Sequence, residues 1–214
     1  MAMLTGPEIA RQVAAGRIAI DPFDPARVGS NSYDLTLSPD LLVYVNNLPV
    51  HDIAAHRAAG RHGVAALYAA GYAPLDTAAD EPTVALRIPP EGLVLWPGVL
   101  YLGSTVERTA TPDHVPCISG RSTVGRYGIA VHCTAGYGDN FFGCGPAGPC
   151  AWTLEITAQV PVRVYAGTRI CQVYYTELVG EKKPYSGKYN AQTGPQSPGL
   201  CAEFGPGKEG VTRG

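Results

Sequence analysis

The stretches AWTLEITA at residues 151–158, VPVRVY at 160–165 and RICQVYYTEL at 169–178 decide the fold class. They are short, rich in β-branched and aromatic residues, and separated by turns that carry Pro or Gly. In the first, strict alternation sets Glu155 on the face of Thr153 and against Leu154 and Ile156, so its carboxylate either faces solvent or enters a cavity. The same punctuation runs back through GIAVHC (128–133), VLYLGSTVER (99–108), LVLW (93–96) and VALRI (84–88). Further back, Ser32 to Leu37 alternates polar and apolar residues, and Leu41 to Val45 is β-prone. The whole pattern predicts an antiparallel sandwich or barrel.

Helical signals are few. Thr5 and Glu8 have capping-box spacing, Ile9 and Val13 give an apolar stripe and Gly16 a stop, which predicts one short N-terminal helix. Residues 50–80 turn Ala-rich with scattered His and Arg, and predict a surface helical insertion. From Glu181 onward Gly, Pro, Ser and Lys dominate without a core pattern, predicting loop or disorder. The expected organisation is one β domain over 1–180, carrying the insertion near 50–80, and a C-terminal tail over 181–214.

Composition agrees with a single folded domain. The 214 residues are 45% hydrophobic and 16% charged, with 26 Gly and 19 Pro, as a turn-rich β protein requires. A formal charge of -2 leaves no basic field for a nucleic acid polymer, so an anionic ligand must be small and gripped by a few placed cations. The start MAMLTGPEIARQ has no leader pattern and no stretch has the length of a membrane helix, so a cytoplasmic location is expected. In that reducing compartment the six cysteines are expected as thiols; Cys144 and Cys150, flanking GPAGP, are the one pair whose sequence proximity suggests a bridge.

Three constellations carry chemistry. Gly120-Arg121-Ser122-Thr123-Val124-Gly125-Arg126 sets two guanidinium groups and two hydroxyls among glycines that let backbone approach an anion; the same composition also suits a solvated surface turn. Asp139 lies in a Gly-rich turn and Glu155 inside an apolar strand, where a buried carboxylate serves as general acid and base. His132, Cys133, Cys144 and Cys150 are metal-ligand types, yet neither half of the zinc deaminase signature H-x-E and P-C-x-x-C is complete. Cys133-Thr134 follow His132 and Ala151-Trp152 follow Cys150, so no zinc is expected.

Taken in order, these segments resemble the dCTP deaminase family, within the superfamily shared with dUTPase. Glu8-Ile9, Gly16-Arg17-Ile18 and Asp21-Pro22-Phe23-Asp24-Pro25 are similar to its opening, and Ser30-Asn31-Ser32-Tyr33-Asp34-Leu35 to its first strand. Pro97-Gly98, Leu102-Gly103-Ser104-Thr105 and the Gly120–Arg126 loop follow. His132-Cys133-Thr134-Ala135-Gly136 comes before Asp139, and Thr153-Leu154-Glu155 is similar to the catalytic strand. Tyr165 to Gln172, then Pro184-Tyr185, Lys188-Tyr189 and Gln192, complete the series.

The resemblance implies an all-β distorted jelly roll (the dUTPase-like β-clip), assembled as a homotrimer with sites between subunits and a tail that closes over nucleotide. It implies hydrolytic deamination of dCTP to dUTP. Glu155 would activate water for attack on C4, with Ser122 and Arg126 ordering the water and the glutamate. Arg121, Ser122, Thr123, Lys188 and Gln192 would hold the triphosphate, Tyr185 would pack on the nucleotide, and Asp139 would meet the deoxyribose 3′-hydroxyl. The nucleotide-binding set further takes in Val124, Gly125, Thr134, Ala135, Thr153 and Leu154. Magnesium would accompany the phosphates.

The chain departs from the family pattern in two places. Gly138 stands where a bulky aliphatic residue usually precedes the aspartate, with Asn140-Phe141-Phe142 where Pro-Gly usually follows, and Gly143 to Ala151 are additional. The missing volume predicts an enlarged pocket that takes a 5-substituted cytosine, unless Phe141 or Phe142 folds back to fill it. Rival readings are a dUTPase or a bifunctional enzyme giving dUMP, and a non-catalytic nucleotide-binding regulator.

Overall fold

The computed structural model describes residues 2–44, 75–79, 83–131, 135–185 and 187–204. Among them lie eleven strands: β1 (Ala19–Asp21), β2 (Tyr33–Thr36), β3 (Asp40–Tyr44), β4 (Thr83–Arg87), β5 (Leu93–Leu95), β6 (Tyr101–Ala110), β7 (His114–Gly120), β8 (Ile129–Val131), β9 (Cys150–Ala158), β10 (Val162–Val164) and β11 (Arg169–Glu177). Helix α1 covers Gly6–Ala14, and α2 is a single turn at Ser122–Gly125.

Every strand pairing is antiparallel. The main sheet runs β4-β3-β6-β9-β8 with β1 beside β6, a second runs β2-β11-β7, and β5 pairs with β10. Side chains from both larger sheets meet in the core, where Leu35, Leu154, Ile156, Ile170, Val173 and Tyr175 are fully buried. This is the all-β layered architecture expected of the short alternating strands.

Two strands were not legible in the pattern. β7 contains Pro116, which interrupts a strand signal because proline cannot donate to a ladder. The structure accommodates it by leaving β7 at an edge of the three-stranded sheet, paired on one side by β11. β1 is three residues long and follows no alternation that a sequence window would catch.

Helix α1 starts as its cap predicts, with Glu8 N donating to Thr5 Oγ1 at 3.3 Å. The Glu8 carboxylate, however, turns to Arg11 and Gln12 instead of back to the cap, so half of the capping box forms. The Gly120–Arg126 loop is not wholly irregular, since α2 winds through it. Of the proposed insertion at 50–80, residues 75–79 form a turn in which Ala79 N donates to Asp76 O at 3.0 Å; the rest lies outside the described residues. Cys144 and Cys150 are free thiols, so the bridge between them is not made.

Among the described residues one acidic or basic side chain is fully buried. Glu107 on β6 accepts from Thr36 N and Thr36 Oγ1, both at 2.8 Å, and pairs with Arg27. That carboxylate is acceptable in a dry core because its lone pairs are matched. No helix among the described residues is long and apolar enough to cross a membrane.

Candidate active site

Strand β9 lies between β6 and β8, and its register places Leu102 opposite Glu155, Ser104 opposite Thr153 and Ala130 opposite Thr157. Alternation then does what the sequence implies. Leu154 and Ile156 are wholly buried on the core face. Thr153, Glu155 and Thr157 project into a cavity of about 650 Å³ on the other face, so of the two orientations open to Glu155 the cavity is the one adopted.

An aromatic cluster forms one wall. The Phe142 ring lies 4.8 Å from Trp152 at 40° and 5.9 Å from Tyr185 at 56°, and the Trp152 Nε1 donates to Thr109 Oγ1 at 2.7 Å. Asp139, Gly138, Tyr137 and Ala135 line the cavity beside this cluster. The Asp139 turn is tied to the sheet through Gly138 N, which donates to Pro116 O at 2.7 Å.

The C-terminal tail, expected as loop or disorder, docks over this cavity. Tyr185, Tyr189, Gln192, Gln196, Ser197 and Pro198 all line it. The tail is fastened to β9 as a strand would be: Ala151 N donates to Gln192 O at 3.0 Å, and Gln192 Nε2 donates to Ala151 O at 2.7 Å. Thr153 Oγ1 donates to Gln192 Oε1 at 3.3 Å and accepts from Gln196 N at 3.1 Å. Tyr185 N donates to Asn140 O at 3.2 Å, and Ala191 N to Cys150 Sγ at 3.0 Å. Composition hid this because the contacts are polar and directional and leave no apolar periodicity.

The segment added before β9 is a tail dock. Gly143 has φ +79°, and a Cβ there would stand 2.3 Å from Thr109 O, so only glycine lets the chain pass this close to β6. Its N–H donates to Asn190 Oδ1 at 3.3 Å.

The residues of the Gly120–Arg126 loop lie elsewhere on the chain. Arg121, Ser122 and Thr123 line a separate hollow of about 580 Å³ with Asn31, Ser32, Asp34 and Gln172. Arg121 Nε pairs with Asp34 Oδ1 at 2.9 Å, and Arg121 Nη1 donates to Arg169 O at 3.2 Å, so the guanidinium is fixed before any ligand arrives. Gly125 and Arg126 line a third hollow with Tyr127, Gln159 and Arg163, while Val124 is buried in the core.

One chain therefore brings together Glu155, Asp139, Thr153, Ala135, Tyr185 and Gln192, and leaves Ser122 and Arg126 away from the Glu155 cavity. Leu154 shares the strand but not the cavity. Lys188 is engaged within the tail, donating to Gly199 O at 3.1 Å and lying 3.4 Å from Glu203 Oε1, and does not line the cavity. Thr134 lies outside the described residues, as do His132 and Cys133.

The expectation of an enlarged pocket at Gly138 is overturned. A Cβ on Gly138 would stand 2.4 Å from Trp152 Cη2 and 3.1 Å from Cζ3, so the volume is filled by the indole. Neither Phe141 nor Phe142 is the filler, although Phe142 buttresses the indole. The sequence named neither Trp152 nor Phe142 as a site residue, because their neighbours on the strand and turn give no sign that a large ring crosses to residue 138.

The cavity's charged lining residues among those described are two carboxylates, Asp139 and Glu155, with no Lys or Arg. Such a surface suits a neutral polar ring with a hydroxylated attachment, and an anionic extension needs cations from outside it.

Comparison with known proteins bears on this arrangement. The family model described as dCTP deaminase-like matches residues 3–178. A protein of Leptospira biflexa named "dCTP deaminase, dUMP-forming" is 41% identical over 203 residues, covering 94% of this chain and 98% of its own. One of the same name from Clostridium beijerinckii is 38% identical over 204 residues, with 94% and 98% covered. A solved structure, the 2′-deoxycytidine 5′-triphosphate deaminase of Agrobacterium tumefaciens, aligns at TM-score 0.49 and 21% identity over 81% of this chain; the match spans 47% of that chain. A family match across the β domain and relatives near 40% identity along almost the whole length make this chain a member of the dCTP deaminase-like family.

Proposed function

We propose that the protein is a hydrolase that deaminates dCTP and carries the product on to dUMP. The carrying observation is Glu155, projected from β9 into a cavity that it shares with Asp139 and the docked tail. The dUMP end product replaces the dUTP expected at first, since relatives at 41% and 38% identity both bear the name "dUMP-forming".

In this reading the cytosine ring enters beside Glu155. The carboxylate takes a proton from water as the hydroxide oxygen bonds to C4, and hands that proton to ring N3. The hydroxyl proton then passes through the same carboxylate to the amino nitrogen, the C4–N bond breaks, and ammonia leaves a uracil ring. A second water attacks the α-phosphorus, diphosphate departs, and dUMP remains. Asp139 accepts the 3′-hydroxyl, Tyr185 packs on the nucleotide, and Gln192 holds the tail closed.

The triphosphate is assigned to Arg121, Ser122 and Thr123. Their hollow shares no lining residue with the Glu155 cavity, which supports a reading in which a neighbouring copy in a homotrimer supplies these groups. Ser122 and Arg126 act on the water and on Glu155 across the same boundary, and Lys188 reaches phosphate after leaving Glu203. Magnesium would accompany the triphosphate as part of the substrate and offset its charge.

Chromatographic identification of products from dCTP tests the chemistry. Wild type yields dUMP, and Glu155→Gln binds nucleotide but forms neither dUTP nor dUMP, because the amide keeps the size and loses the base. Wild-type turnover by that variant refutes the role of Glu155. Mixing inactive Glu155→Gln with inactive Arg121→Ala tests the shared site: re-assembled trimers regain activity where one copy supplies Glu155 and its neighbour Arg121. A mixture that stays inactive, with exchange of subunits verified, refutes the sharing.

A further inference from the structure

We propose that Trp152 is the residue that makes this site select deoxyribose over ribose, and that Gly138 is glycine in order to seat it. The inference rests on the reading in which Asp139 receives the 3′-hydroxyl.

The indole is held from three sides. Nε1 donates to Thr109 Oγ1 at 2.7 Å, Phe142 packs at 4.8 Å between centroids, and the far edge of the six-membered ring lies against Gly138. A ring with that many restraints moves little, so it acts as a fixed wall. Trp152 is 5% exposed, yet it lines the cavity together with Gly138, Asp139 and Thr153. Its position follows from the Gly138 contact: an added Cβ would meet Cη2 at 2.4 Å and Pro116 Cγ at 3.3 Å, so a side chain at 138 has no room while the indole is seated.

Asp139 is the residue after Gly138. A sugar whose 3′-hydroxyl meets the Asp139 carboxylate carries its 2′-carbon two bonds from that oxygen, and in this reading that carbon sits beside the wall formed by Gly138 and the indole, which line the same cavity. A 2′-hydroxyl adds an oxygen there, and that oxygen finds an aromatic edge whose only polar atom is already donating to Thr109. It loses its water without gaining a partner, which disfavours ribose by desolvation as well as by volume. Sites of this kind discriminate by about 10- to 200-fold when the difference is one small group in an apolar pocket.

The test compares kcat/KM for dCTP, CTP and 5-methyl-dCTP in wild type, Trp152→Val, Gly138→Val and the double variant. Trp152→Phe is included because it keeps an aromatic anchor and removes the ring edge that reaches Gly138. Trp152→Val and Trp152→Phe are expected to relax the dCTP-over-CTP preference by about tenfold or more, with the dCTP to 5-methyl-dCTP ratio held within threefold. Gly138→Val alone is expected to lower Tm. The double variant is expected to regain most of that loss, because the branched side chain then occupies the space vacated by the indole.

An unchanged dCTP-to-CTP ratio in a folded Trp152→Phe protein overturns the proposal. So does relaxation toward 5-methyl-dCTP alone, or a double variant no more stable than Gly138→Val. Failure of the functional reading has a different signature: wild type would then release no ammonia from dCTP, while the Tm comparison of the Gly138 and Trp152 variants would still report on their packing.

Discussion

Gln192→Ala separates the tail's role in substrate binding from its role in structure. Gln192 is 8% exposed, and its amide nitrogen donates at 2.7 Å to Ala151 O on a residue that is 1% exposed. Truncation leaves that carbonyl buried without its side-chain donor, which costs about 1–3 kcal/mol. The 3.3 Å bond from Thr153 Oγ1 adds little, because at that length it is weak and the hydroxyl keeps its bond from Gln196 N. Since the backbone bond between Ala151 N and Gln192 O survives, the tail is loosened but not released. If nucleotide requires the docked tail, the loss appears as a smaller competent fraction and raises apparent Kd and KM by about 5- to 150-fold at most, with kcat nearly kept. The assay is steady-state dCTP turnover beside limited proteolysis of the free protein. Faster tail cleavage with an unchanged KM would refute the view that the docked tail forms part of the binding site.

Stability carries two further expectations. Arg27→Leu leaves the fully buried Glu107 with Thr36 alone, and is expected to cost about 3 kcal/mol in urea denaturation; an unchanged midpoint refutes a structural role for the pair. His114 is 5% exposed with neither ring nitrogen hydrogen-bonded, and its pKa is lowered chiefly by burial, against the smaller opposing pulls of Asp113 and Glu177. The unfolded chain therefore binds the proton more readily. Stability is full above the unfolded histidine value of about 6.5 and declines as pH falls through the window below it. His114→Phe is expected to flatten that part of the Tm-versus-pH curve, and an unaltered slope would assign the loss to another group.

The fold class was legible because a strand facing a core writes its burial directly into alternation, as Leu154 and Ile156 against Thr153 and Glu155 do. The same logic placed Glu155 on the noncore face, while Asp139 entered as a candidate through its Gly-rich turn and the family resemblance. What the sequence by itself determined was thus the strand inventory apart from β1 and β7, the N-terminal cap, and the series of motifs that marks the family. Tertiary structure decided the rest, for reasons local pattern does not contain. Whether Glu155 meets solvent or a cavity depends on a tail about 40 residues downstream, held by hydrogen bonds that leave no hydrophobic period. Whether the Gly120–Arg126 loop joins the same cavity depends on three-dimensional separation, and within one chain its residues line hollows apart from the Glu155 cavity. Gly138 shows the difference most plainly: sequence predicts missing volume, whereas the fold brings Trp152 of β9, fourteen positions along the chain, into that volume.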